Sequence, residues 1–232
     1  MTFETRKGHF FAPTTVHSAA SAEPLVERPA GDIAKRGLDL LLVLVFLPLL
    51  VPLLLGVAAL VCMTSSGPVL FGHVRVGRGG KKFRCWKFRT MVVDGDRILE
   101  EHFRRFPEER TIWEEERKLH DDPRVTSLGA VLRKLSLDEL PQLINVLVGE
   151  MSLVGPRPVV DEEMRKYGRS GRHYLRVRPG VTGLWQISGR SDTGYATRVL
   201  LDRHYVMSWN VLLDIKVLVL TIPAVLFASG AR

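Results

Sequence analysis

Between Leu40 and Met63 the chain runs for about 24 residues without a charged side chain, nearly all of them Leu, Val, Ala or Phe. About 20 such residues suffice to cross the hydrocarbon core of a bilayer, so the fold must be built around a segment that prefers lipid to water. A cleaved signal peptide fits poorly: the run starts near residue 40, exceeds the usual apolar core of a signal, and no small-residue cleavage site follows a short core. Two prolines, Pro48 and Pro52, sit inside it. Each lacks the donor that would bond four residues back, which frees the carbonyls of Leu44 and Pro48 near mid-membrane and calls for a kink supported by other protein groups.

The flanks bear on topology. Lys35 and Arg36 precede the segment, and His73, Arg75, Arg78, Lys81, Lys82 and Arg84 follow it. Both sides therefore carry the positive charge expected of cytoplasmic loops, which a single crossing cannot satisfy. A helix that enters, bends at Pro52 with Pro48 nearby, and returns to the same face can. A tilted, proline-kinked spanning helix is the alternative. The expected organisation is a flexible cytoplasmic tail over 1–32, a re-entrant helix–break–helix over 33–66, and a membrane-associated cytoplasmic domain over 67–232.

The remaining composition narrows the partners. A net charge of +8 and a pI near 9.8 suit nucleic acid, anionic lipid or a polyanionic small substrate. With a membrane segment present, lipid and phosphorylated ligands fit better. No stacking-aromatic motif speaks for nucleic acid, so no nucleic-acid partner is expected. Cys62 and Cys85 have neither metal-ligand spacing nor a disulfide framework, as suits a reducing cytoplasm. Near the other end, 209–227 is apolar but holds Asp214, Lys216 and Pro223, and the stretch after Lys216 is too short to span. It reads as an interfacial helix or as a core-packing one.

The chemistry-bearing residues lie between these apolar segments. Asp138 and Glu139 are adjacent within Leu135-Ser136-Leu137-Asp138-Glu139-Leu140-Pro141-Gln142. Ser136 followed three residues later by Glu139 reads as a capping box, with both carboxylates in a first helical turn where the dipole keeps them ionised. An ionised carboxylate there can act as a nucleophile or hold a hard cation, and it can also be no more than a cap. Upstream, Val69-Leu70-Phe71 reads as a strand entering the glycine-rich Arg75 to Lys82 loop, and 83–91 as a second strand. Lys87 and Arg89, two apart, would share a strand face and form an oxyanion site, or be solvated charge.

Asp94 to Asp122 reads as a charged helical excursion with one apolar face, Ile98, Leu99, Phe103 and Phe106. Arg157, between Pro156 and Pro158, is presented from a stiff backbone and suits bidentate phosphate binding or a structural salt bridge. The run from Arg176 to Arg190 mixes glycines with Arg178 and Arg190, and such a loop can accept a nucleotide diphosphate, though it lacks a P-loop or dinucleotide fingerprint.

Together these segments resemble the monotopic bacterial sugar transferases, phosphoglycosyl transferases that start lipid-linked polysaccharide assembly, and are most similar to the exopolysaccharide galactose phosphotransferases. The carriers are Lys35-Arg36, Lys87-Phe88-Arg89-Thr90-Met91, Leu132 through Gln142, Gly155-Pro156-Arg157-Pro158 and Arg178-Pro179-Gly180-Val181-Thr182-Gly183. The resemblance implies a mixed α/β, mainly helical fold: a re-entrant N-terminal membrane helix, a small cytoplasmic catalytic domain and interfacial amphipathic helices. It implies that Asp138 attacks the sugar-bearing phosphorus of a UDP-sugar, releasing UMP, and that undecaprenyl phosphate then takes the phosphosugar, galactose or glucose 1-phosphate. It further implies Mg²⁺ as cofactor held by Asp138 and Glu139, and phosphate contacts from Arg157, Lys87 and Arg89, with Arg178 and Arg190 as further substrate-binding candidates. The place would be the cytoplasmic face of a bacterial inner membrane, among its lipid, with downstream glycosyltransferases and further copies of the chain as open partners. In one respect the chain departs from smaller relatives, where Ser-Pro is expected at the helix break: Pro52 follows Val51. A non-catalytic membrane scaffold of polysaccharide assembly is the reading from another class.

Overall fold

The computed structural model describes residues 31–116, 119, 121–189 and 194–226. The expected tail over 1–30 and Arg190 lie outside the described residues. The chain is mainly helical with two small sheets, as the mixed α/β expectation required. The apolar run forms α1 (Asp32–Thr64), which continues through Pro48 and Pro52 as one helical element. Among the described residues it is the one helix long and apolar enough to cross a membrane, with a mean hydropathy of 3.0 over its most apolar window.

The reason α1 stays in one piece is visible in its contacts. Asp39, Val43, Val57 and Val61 are buried, and Leu50 and Leu54 pack against the same core clusters, a repeat of three and four that draws one stripe along the helix. Both prolines and most other side chains of α1 are exposed, including Leu49 and Leu55. If lipid covers that outer face, the stripe gains packing but little hydrophobic free energy, so polar contacts must hold the helix in register.

Those contacts clamp both ends. At the N-terminal end Asp32 accepts from Arg78 at 2.8 Å and from Arg178 at 2.9 Å. Lys35 reaches Asp214 at 2.8 Å and Asp39 at 3.3 Å. Arg36 donates to the carbonyls of Val146 and Leu147, where a helix leaves carbonyls unbonded. At the C-terminal end Arg89 donates to the Ser65 carbonyl at 2.8 Å, to its hydroxyl at 2.7 Å, and to the Pro68 carbonyl. Its guanidinium lies over Gly67 (φ +110°), where a Cβ would fall 2.6 Å from Nη1. Of the flanking cations, Lys35, Arg36 and Arg78 are thus structural clamps, as is Arg89 farther on, whereas His73, Lys81, Lys82 and Arg84 are exposed.

After α1 come the antiparallel strands β1 (Leu70–Val76) and β2 (Lys82–Phe88), paired from Leu70–Phe88 to Val76–Lys82. The charged excursion forms α2 (Gly95–Arg105) and α3 (Pro107–Glu116), with Leu99 and Phe103 buried as the periodicity predicts and Phe106 exposed. Then follow α4 (Ser127–Lys134), α5 (Gln142–Val148), β3 (Ser152–Val154), α6 (Asp161–Tyr167), α7 (Gly171–Arg176), β4 (Gly180–Thr182), α8 (Leu184–Ile187), α9 (Tyr195–Ser208) and α10 (Val211–Leu226). β3 and β4 pair in parallel.

Their approach explains the glycines of the Arg176 to Arg190 loop. A Cβ on Gly180 would meet the Gly155 nitrogen at 2.1 Å, and one on Gly183 the Gly155 carbonyl oxygen at 2.2 Å. The Gly155 amide bonds the Thr182 carbonyl and the Gly180 amide that of Pro156. Within this loop the Gly180 amide is thus engaged with backbone and is not offered to a diphosphate. α10 packs on the core as one of the two readings required, with Asp214 and Val217 buried, and its other face exposes an apolar stripe of Leu212, Ile215, Val219 and Ile222.

Candidate active site

Local chain geometry brings Asp138 and Glu139 together with Lys87 and Arg157. α4 begins at a true cap, Thr126 Oγ1 accepting from Gly129 N at 2.9 Å, and ends where Ser136 enters the left-handed region at φ 54°. Ser136 is the one non-glycine residue with positive φ among the described residues, and such backbone strain concentrates at functional sites. The expected capping box is absent. Ser136 terminates α4 through its amide on the Arg133 carbonyl, and its side chain caps nothing. Residues Leu137–Glu139 form a 3₁₀ turn, and α5 starts only at Gln142. Pro141 explains the delay: it has no N–H for the Leu137 carbonyl, which instead accepts from Leu140 at 3.2 Å, and proline suits the entry to a helix.

β2 is held against this turn by Asn145, fully buried on α5. Its side chain accepts from Trp86 N at 3.1 Å and donates to the Arg84 carbonyl at 2.7 Å and to Glu150 at 2.6 Å. Phe83 and Cys85 point from β2 into the core, and Lys87, next on the same face, reaches the carboxylates. Its Nζ lies 2.6 Å from Glu139 Oε1 and 3.6 Å from Asp138 Oδ2. Arg157 Nη1 approaches Glu139 Oε1 at 3.8 Å. Arg133, whose Nε donates to Thr90 Oγ1 at 2.9 Å, adds its charge to the field on Asp138.

The electrostatics reverse one expectation. Asp138 is only 7% exposed, and burial pushes its carboxyl above the ordinary aspartate value; the neighbouring Glu139 charge adds to this, while Lys87 and Arg133 oppose it. No helix dipole holds it down, because no α-helix begins there. The result is a poorly solvated carboxylate beside a lysine, a better nucleophile than a fully hydrated one.

Of the other candidates, Arg89 shares the β2 direction with Lys87 but turns away to Ser65 and Pro68, so the proposed two-cation strand face is reduced to Lys87. Arg178 donates to Asp32 and to the Gly149 carbonyl, each at 2.9 Å, so the structure places it at the N-terminal end of α1 and not beside the carboxylate pair. Several neighbours carried no signal that sequence reasoning used. Arg75 is paired with Glu163 at 3.6 Å, Arg198 with Glu163 at 3.4 Å, and Trp185 lies 5.4 Å from the Arg157 guanidinium. Arg133 lies within the Leu132 to Gln142 stretch that carries the resemblance; Asn145 and Arg198 come from α5 and α9, where nothing local marks them.

The carboxylate pair suits a hard divalent cation only in part. Among the described residues there is no cluster of three or more metal-ligating side chains. Mg²⁺ needs no such cage, since it commonly takes one or two carboxylates and completes its shell with water and substrate phosphates. Asp138 and Glu139 provide two hard oxygen groups of that kind.

A family model described as bacterial sugar transferase matches residues 30–228. The exopolysaccharide production protein ExoY of Sinorhizobium fredii is 53% identical over 204 residues, 88% of this chain and 90% of that protein. The undecaprenyl-phosphate galactose phosphotransferase of Salmonella typhimurium is 50% identical over 167 residues, 72% of this chain but 35% of that protein. The UDP-glucose:undecaprenyl-phosphate glucose-1-phosphate transferase of Escherichia coli is 37% identical over 211 residues, 86% of this chain and 42% of that protein.

Proposed function

The chain belongs to the bacterial sugar transferase family, and on that premise we propose that it transfers a sugar 1-phosphate from a UDP-sugar to undecaprenyl phosphate, releasing UMP, as the first step of exopolysaccharide assembly. One observation carries the reading: a buried carboxylate, Asp138, stands beside Lys87 and Glu139, with Arg157 behind them. Asp138 attacks the sugar-bearing phosphorus, the bond to the bridging oxygen breaks, and UMP leaves with that electron pair. The sugar-bearing phosphoryl group stays on Asp138 until an oxygen of undecaprenyl phosphate attacks its phosphorus; the P–O bond to Asp138 breaks, the carboxylate is restored and the phosphosugar passes to the lipid phosphate. Lys87 offsets charge on the attacked phosphate, and Arg157 holds a neighbouring phosphate.

Mg²⁺ would be held by Asp138 and Glu139 together with donor phosphates, and when bound it offsets the charge of the diphosphate. Relatives named for galactose and for glucose transfer both match, so either hexose fits. The decisive experiment incubates the purified chain with Mg²⁺, undecaprenyl phosphate and radiolabelled UDP-galactose or UDP-glucose, then traps the enzyme-bound label. Asp138→Asn should abolish UMP release and labelling while membrane association persists. Retained turnover would refute the nucleophile, and absence of turnover in the wild type would favour the scaffold reading.

The same proposal places both ends of α1 on the cytoplasmic side of the inner membrane. Its support is that the ends are clamped to one domain, Asp32 to Arg78 and Arg178, and Ser65 to Arg89. On a Cys62→Ser background, cysteines at the exposed positions Ile33 and Ser66 should both react with an impermeant reagent from the cytoplasmic side only. Labelling from opposite sides would mean a spanning helix.

A further inference from the structure

Next to the carboxylate pair lies a group of cations that the chemistry above does not use. Arg198 on α9 is 6% exposed, yet among the described residues its Nε and Nη2 have no hydrogen-bond partner, and the buried Nε1 of Trp185 has none either. The remaining Nη1 reaches Glu163 Oε1 at a long 3.4 Å. The Arg198 guanidinium lies 5.1 Å from the Trp185 ring centroid and 5.2 Å from that of Tyr195. Arg157 approaches the same indole at 5.4 Å, so Trp185 links Arg198 physically to the carboxylate pair.

Leaving buried charged donors unsatisfied is costly, and folds retain such groups where a ligand completes them. Arg75 and Arg157 stand in the same neighbourhood: burial, and then the charge of Arg157, lower the pKa of Arg75, with Glu163 opposing. The anions facing Arg198 are Glu163 and Asp202, and the latter is occupied by the Tyr167 hydroxyl at 2.6 Å.

We propose that Arg198, with Trp185 beside it, seats the nucleotide half of the sugar nucleotide, donating to the phosphate that departs as the nucleoside monophosphate. This rests on the donor reading given under Proposed function. When Asp138 bonds to the sugar-bearing phosphorus and the bridging P–O bond breaks, the electron pair stays on the leaving phosphate. That group gains charge in the transition state, where a pre-positioned guanidinium has its largest effect. The soluble donor is favoured over the lipid phosphate by position. Val199, the neighbour of Arg198, packs with Val76, Val159, Tyr167 and Tyr174, a cluster that includes no residue of α1 or α10. The longest exposed apolar stretches belong to those two helices; α9 also exposes Leu200 and Met207, so it is the packing of Arg198's neighbours, not the exposure of its helix, that sets it apart from α1 and α10.

The test uses the full chain in nanodiscs and measures UMP and uridine binding by calorimetry, alongside the KM for each substrate. Arg198→Gln should weaken UMP binding at least tenfold, change uridine binding less than twofold and leave the KM for undecaprenyl phosphate unaltered. UMP affinity within twofold of wild type would overturn the proposal, as would a rise confined to the KM for undecaprenyl phosphate. If Arg198→Gln does not fold, Arg198→Lys keeps the charge but loses the fork; it should weaken UMP binding several-fold at an unchanged melting temperature, and unaltered binding would again overturn it. Turnover with UDP-sugar that is indifferent to Arg198 would remove this inference alone, whereas a wild type that neither binds UMP nor turns over would remove the donor reading as well.

Discussion

Lys35→Met should destabilise the protein severely although the residue lies far along the chain from the carboxylate pair. Lys35 Nζ stands 2.8 Å from Asp214 and 3.3 Å from Asp39, and the two carboxylate side chains are 1% and 2% exposed. Asp39 also accepts from Ser152 Oγ at 2.7 Å and Leu153 N at 3.1 Å, and Asp214 from Tyr205 Oη at 2.7 Å and Trp209 Nε1 at 3.1 Å. Methionine fills the same space but leaves two buried carboxylates with neutral donors only. Removing one partner of a buried ion pair costs about 3–5 kcal/mol. Against a typical total of about 5–15 kcal/mol this is a large fraction, and at about 2–4 °C per kcal/mol for a chain of this size it lowers the melting temperature by about 6–20 °C. Thermal unfolding in detergent, followed by tryptophan fluorescence, reads it directly, since Trp209 donates to the same carboxylate. Adding Asp214→Asn should recover part of the loss by removing an uncompensated charge. A Lys35→Met protein melting within about 2 °C of wild type would refute the account of how α1 is held.

Three further outcomes follow from the site and its frame. Because burial raises the Asp138 pKa above 3.8, the acid limb of kcat/KM should lie above that value and move higher in Lys87→Gln; the raised folded-state pKa also means that ionised Asp138 lowers stability as pH rises through it, so Asp138→Asn should melt higher than wild type at pH 7 while being inactive. Arg157→Ala should cut kcat/KM about a hundredfold, whereas Arg89→Ala, which removes contacts to Ser65 and Pro68, should lower the melting temperature and change the KM for UDP-sugar less than about threefold. Gly180→Ala places a Cβ 2.1 Å from the Gly155 nitrogen and must part β3 from β4, costing about 2–4 kcal/mol in urea unfolding.

Much of this was legible before any coordinates. The uncharged run from Leu40 to Met63 marked one long apolar helix, and α1 is long and apolar enough to cross a membrane. Alternation and glycine placement marked β1 and β2, and the periodicity of Leu99 and Phe103 marked α2. The adjacency of Asp138 and Glu139, with Lys87 and Arg157 quoted beside them, identified the carboxylate site, since residue chemistry and local spacing are properties of the chain itself. Local rules failed where a neighbour in sequence competed with them. Ser136 and Glu139 satisfy the capping pattern, but Pro141 withholds an amide and the turn closes as 3₁₀.

Only the tertiary structure decided which cations stand beside the carboxylate pair and which clamp distant parts of the chain together. Lys87 and Arg89 look equivalent in sequence, yet one meets Glu139 and the other grips the end of α1. Arg178 lies in a glycine loop suited to phosphate, but Asp32, 146 residues away, takes its guanidinium. Arg198 carried no local mark at all, and Trp185 only its place in that loop. A charge finds its partner through distance in space, and where Coulomb energy and desolvation are settled by residues far apart in the chain, the sequence names the candidates while the fold assigns their roles.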